Sequence, residues 1–114
     1  MAYYLANNPK DLPKALKYAK RANKLDPQPF IQDTLGYIYF QMGNYSEAES
    51  LFKMAYDAKF RDPKFLYHMG MNEWKLGKND LASDHLRKSM VSGELSPKEM
   101  KEARRALSKL PPGA

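Results

Sequence analysis

The chain contains no cysteine, which excludes disulfides, thiolate nucleophiles and thiolate metal ligands together and leaves the redox compartment open. Long apolar runs are missing too. No stretch approaches the roughly 20 residues that a membrane-spanning helix needs, so no membrane span is expected. Histidine is scarce, with two residues in all. His68 and His85 fall on different predicted helices and form no His-x-x-x-His pair. Zinc usually takes three or four ligands, and only scattered carboxylates remain to supply them. Asp80 and Asp84 share a helix face, but Asp80 more simply supports a helix start. There is no glycine-rich phosphate loop, and residue order alone builds no Ser-His-Asp arrangement. Neither a cofactor nor an enzymatic activity is therefore expected. Met1 to Asn8 lack the basic stretch and long apolar core of a secretory signal. The compartment stays undetermined, with cytoplasm favoured over periplasm.

Acidic residues are in deficit, 13 against 19 basic ones, for a formal net charge of +6. Such a balance permits attraction to nucleic acid, an anionic membrane or an acidic partner; the bland alternative is a basic solvated surface. With 114 residues, 43% of them hydrophobic and 28% charged, the chain reads as one compact folded domain rather than a disordered tail.

What is present is a repeat. Leu35-Gly36-Tyr37 aligns with Met69-Gly70-Met71 at a shift of 34 residues. The same shift carries Met42-Gly43-Asn44 onto Leu76-Gly77-Lys78, Ala48 onto Ala82, Phe52 onto Leu86 and Phe40 onto Trp74. Several coincidences in one register mark a repeat architecture. Each unit reads as two helices. Leu35, Tyr39 and Met42 fall at helical spacing within Pro29 to Met42, and Gly43-Asn44 stops the pattern. Tyr45 to Lys59 follows, with Ala48, Leu51, Phe52 and Ala55 on one face. The next unit repeats this as Pro63 to Leu76 and Asn79 to Val91. Gly36 and Gly70 sit mid-helix, where glycine costs roughly 1 kcal/mol relative to alanine. Close approach of the paired helix explains both better than chance does.

Leu35-Gly36, Tyr39, Gly43, Tyr45, Ala48, Phe52 and Ala55 resemble the tetratricopeptide repeat signature. Ala15, Ala19, Ala22, Leu25 and Asp26-Pro27 are similar to the second helix and closing Asp-Pro of a preceding repeat. The likeness covers roughly Leu12 to Val91, and Tyr67-His68-Met69-Gly70 resembles the closing repeats of large bacterial arrays. Two positions depart from the family pattern: Glu73 replaces its usual tyrosine and Ser89 its alanine, with Trp74 expected to take over some of that packing. The resemblance implies an all-α, right-handed helical-hairpin solenoid of about two and a half repeats plus a C-terminal capping helix. The expected divisions are a partial repeat at 1–28, repeats at 29–62 and 63–95, a capping helix at 96–110 and a tail at 111–114.

In that family the first helix of each repeat lines a concave face. Here the helix from Pro29 carries a second stripe, Phe30, Asp33, Tyr37 and Phe40, and its counterpart is Lys64, Tyr67, Met71 and Trp74. A helix apolar on opposite faces is buried on both or leaves one for a ligand. A protein or peptide ligand is thus expected on these residues, with Gln41 and Lys75 at the edge. Repeat-on-repeat packing is the alternative use. A carboxylate clamp of the family's known type is not expected, because its first lysine would fall where Gly36 or Gly70 stands. Basic stripes, Lys14, Lys17, Arg21 and Lys24 and then Lys98, Lys101 and Arg105, read first as solvated faces. Nucleic-acid or anionic-surface binding is their functional alternative, without a motif for a specific nucleic acid. A purely structural segment of a longer array is a third reading.

The ends differ. Ser96-Pro97-Lys98-Glu99 has capping-box form, and Met100, Ala103, Leu107 and Leu110 give the helix after it one apolar face, closed by Pro111-Pro112-Gly113. Before Pro9, Tyr3, Tyr4 and Leu5 can supply only a short stub. The expectation is a C-terminal fragment of a longer array whose open end self-associates through Tyr3, Tyr4, Leu12 and Leu16.

Overall fold

A computed structural model of the chain describes residues 11–110. Among them are six helices and no strand: α1 Leu12–Leu25, α2 Pro29–Gln41, α3 Tyr45–Asp57, α4 Pro63–Lys75, α5 Asn79–Val91 and α6 Pro97–Ser108. The fold is all-α and built of helical hairpins. Its two hairpins obey the period at every boundary: α4 starts and ends 34 residues after α2, and α5 starts and ends 34 residues after α3. Tyr3, Tyr4, Leu5 and the Pro111-Pro112-Gly113 stop lie outside the described residues.

Local chemistry sets these ends. Proline opens α2, α4 and α6, where its missing N–H costs no hydrogen bond. Asp62 caps α4 by accepting the Lys64 N–H at 2.9 Å. The capping box at α6 forms in full, with the Glu99 N–H donating to Ser96 Oγ at 3.1 Å and the Ser96 N–H donating to Glu99 Oε1 at 2.8 Å. Gly43 and Gly77 leave α2 and α4 at φ of 81° and 78°, a left-handed conformation that only glycine adopts without penalty. The second exit is less uniform. Gly93 leaves α5 at φ 77°, but the equivalent residue after α3 is Lys59, at φ 70°.

The chain forms two compact units, divided between Phe60 and Arg61. In the first, α2 packs on both α1 and α3. Ala15, Ala19, Leu35, Ile38 and Leu51 form its central cluster, with Leu12, Leu16 and Tyr39 partly buried against it. Leu12 and Leu16, named above as part of an open end, therefore contribute to this unit's own core. In the second unit α4 and α5 pair, and α6 packs on both. Every residue of α4 from Phe65 to Glu73 is buried.

The mid-helix glycines are points of contact. A Cβ added to Gly36 would lie 2.7 Å from Phe52 Cε1, and one added to Gly70 would lie 2.8 Å from Leu86 Cγ and 3.2 Å from the Leu86 backbone nitrogen. A phenyl ring can tilt away, but backbone cannot. Gly70→Ala is therefore expected to lower stability by about 1–3 kcal/mol, although alanine is the better helix former by roughly 1 kcal/mol. Chemical denaturation of the variant checks this, and a raised midpoint would remove close packing as the reason for the glycine.

Candidate functional site

Helical geometry puts Phe30, Asp33, Tyr37, Phe40 and Gln41 on one side of α2, opposite the buried Gln32, Leu35, Gly36 and Ile38. Phe30 is 55% exposed, and the other four are half-buried. Tyr37 and Phe40 stand one turn apart, with ring centroids 6.2 Å apart and planes only 13° from parallel. The tight turn at Gly43 then brings Tyr45, the first residue of α3, to 5.7 Å from Phe40 at a 56° tilt. The result is a short aromatic row fixed at both ends by backbone. Each such ring pair contributes about 0.5–1.5 kcal/mol beyond area burial, so the row is rigid before any ligand arrives. Near its start, Thr34 Oγ1 donates to the Phe30 carbonyl at 3.0 Å. Tyr45 was recognisable beforehand as a repeat-signature residue, but only the turn geometry shows that it extends this row.

The equivalent side of α4 differs. Tyr67 and Met71, expected to line a binding face, are 8% and 7% exposed. Side chains so enclosed offer a ligand no surface, and the expectation for these two is corrected accordingly. What remains accessible is Trp74, half-buried, with the Lys75 ammonium 4.7 Å from its ring centroid, and Lys64, which lies 4.0 Å from Glu99. Trp74 does not replace the missing core tyrosine, because its ring is partly open and tied to a surface lysine.

That substitution has another answer. Glu73 Oε1 lies 2.6 Å from His85 Nδ1, and both side chains are buried. The corresponding residues of the first unit are Tyr39 and Leu51, which meet in its apolar cluster. Both partners change together, from an apolar pair to a hydrogen-bonded polar one. Ser89 similarly closes on the backbone, with its hydroxyl donating to the Leu86 carbonyl at 2.7 Å. His68 is 5% exposed, a packed residue. Among the described residues no group of three or more His, Cys, Asp or Glu side chains is placed to hold a metal ion. No described helix is long and apolar enough to cross a membrane.

The basic residues lie outside these features. Lys14, Lys17, Arg21 and Lys24 on α1 and Lys98, Lys101 and Arg105 on α6 are all exposed.

A family model described as tetratricopeptide repeat matches residues 32–61. The matched segment runs from the first turn of α2 through the end of α3, one helical hairpin, and it supports the tetratricopeptide family as the source of the repeat. No curated protein matches the chain.

Proposed function

We propose that the chain is a non-catalytic protein-interaction module that receives a peptide or protein segment on the outward side of its hairpin helices. The contact residues are Phe30, Asp33, Tyr37, Phe40 and Gln41 on α2. In the second unit, Lys64, Trp74 and Lys75 form a smaller surface of their own. Tetratricopeptide motifs are in general protein-interaction modules, and the matched hairpin is the one that carries the aromatic row. The observation behind this reading is the stacked Tyr37–Phe40 pair extended by Tyr45. Aromatic side chains held in place beforehand lose little rotamer entropy on binding and dominate interface energetics. The row faces away from the hairpin's core, so a ligand can reach it without opening the fold.

Peptides selected from a displayed random library on the immobilised chain test this. Tyr37→Ala is expected to weaken the selected peptides at least tenfold, roughly 1.4 kcal/mol, with the helical circular dichroism unchanged. Selected peptides whose affinity ignores both Tyr37→Ala and Phe40→Ala would overturn the assignment.

A further inference from the structure

Helix α1 holds Lys14, Lys17, Lys20, Arg21 and Lys24 and no carboxylate. Against a chain total of +6, this one helix supplies +5, and all other residues together supply +1. The distribution is far from even. Helix α6, the other basic helix, interleaves its cations with Glu99 and Glu102.

The core dictates which way the charge points. Ala15 and Ala19 are buried among Leu35, Ile38 and Leu51, which leaves the five cations on the opposite side, all exposed. At 3.6 residues per turn they span about 120° of the helix circumference and, from Lys14 to Lys24, about 15 Å of its length. Lys20 leans over the Tyr39 ring at 5.9 Å. None of Lys14, Lys17, Arg21 and Lys24 forms an ion pair with another described residue. Tyr18, 42% exposed, borders this stripe with its ring accessible.

We infer that the outer face of α1 docks a single nucleic-acid strand, with Lys14, Lys17, Arg21 and Lys24 on successive phosphates and Tyr18 beneath a base. Cations one turn apart stand about 5 Å apart along the axis, on the scale of the phosphate-to-phosphate step of a strand. Long-stemmed cations with no acceptor among them read evenly spaced charge rather than sequence. A membrane surface fits less well, because an interfacial helix sinks its apolar side into the lipid and this one has committed that side to the core. An acidic protein segment would use the charge but leave the Tyr18 ring without a role, whereas ring-on-base stacking is a standard element of single-strand binding.

Fluorescence anisotropy of a labelled oligothymidylate against a salt series tests the inference. Four phosphate contacts on a single strand give a slope of log affinity on log salt of about −3. Lys17→Glu/Arg21→Glu is expected to bring the slope to about −1.5 and weaken binding roughly tenfold or more. Tyr18→Ala should weaken binding roughly fivefold with the slope unchanged. The same charge change placed on α6, Lys101→Glu/Arg105→Glu, should matter far less. Equal losses from the two reversals would reduce the effect to net charge and overturn the site. Displacement of the oligonucleotide at equal charge concentration by polyglutamate, or by phosphatidylserine vesicles, would overturn the choice of partner. So would a Tyr18→Ala variant that binds as tightly as the parent.

Discussion

Replacing His85 by leucine is expected to destabilise the chain by about 3–5 kcal/mol, because it strands the Glu73 carboxylate in the interior of the α4–α5 hairpin. The imidazole nitrogen 2.6 Å away holds that carboxylate, and the side chains of Glu73 and His85 are only 9% and 7% exposed. Leucine fills much of the ring's volume but offers no donor. The remedy stands in the first unit, where the same two positions are Tyr39 and Leu51. Glu73→Tyr/His85→Leu therefore transplants a pairing the fold already uses, and it should return most of the loss. Removing both members of a buried polar pair is often neutral, whereas removing one is not. A double-mutant cycle by urea denaturation reads the coupling directly. Additive losses from the two single changes would mean that the hydrogen bond contributes nothing to the hairpin.

Phe52→Ala should cost a comparable amount, about 3–5 kcal/mol. The ring is 1% exposed and lies against Gly36, which has no side chain to relax into the vacated space. The cavity consequently stays open. Phe52→Leu should cost much less, since Leu86 occupies this position in the second unit against Gly70. The two residues are also coupled in sign. Gly36→Ala drives a methyl into the ring in the parent chain, yet in the Phe52→Ala background the clash disappears. There the alanine should raise stability by up to about 1 kcal/mol through helix propensity alone. Denaturation midpoints for the four chains decide the matter. A Gly36→Ala effect of the same sign in both backgrounds would sever the two residues.

Much of this fold was legible because a period over-determines it. Gly36 with Gly70, Gly43 with Gly77 and Phe52 with Leu86 each repeat at one shift, and helix boundaries follow from residues that stop helices. Ser96 and Glu99 announced their capping box through spacing alone. The candidate site was only half legible. Helical spacing correctly put Phe30, Tyr37 and Phe40 on one side of α2, but spacing cannot say whether a face is covered. Tyr67 and Met71 share that register and are enclosed. Trp74 looked like a substitute for the lost tyrosine because the two positions adjoin in sequence, though neighbours on a helix point about 100° apart. The true partner of Glu73 sits across the hairpin. A signal for it existed: the only two departures from the apolar pair Tyr39–Leu51 occur at facing positions and are chemically complementary.

Lys59 gives the repeat a practical use. At φ 70° it occupies the left-handed exit from α3, while Gly93 occupies the equivalent exit from α5 at φ 77°. An ordinary L-residue in that conformation costs roughly 1–2 kcal/mol relative to glycine. Each copy of the motif thus serves as a design reference for the other, and at this position the second copy is the better template. For an engineer wanting a sturdier scaffold, Lys59→Gly is the first exchange to make. It borrows a solution already proven within the same chain, at an exposed residue remote from the aromatic row.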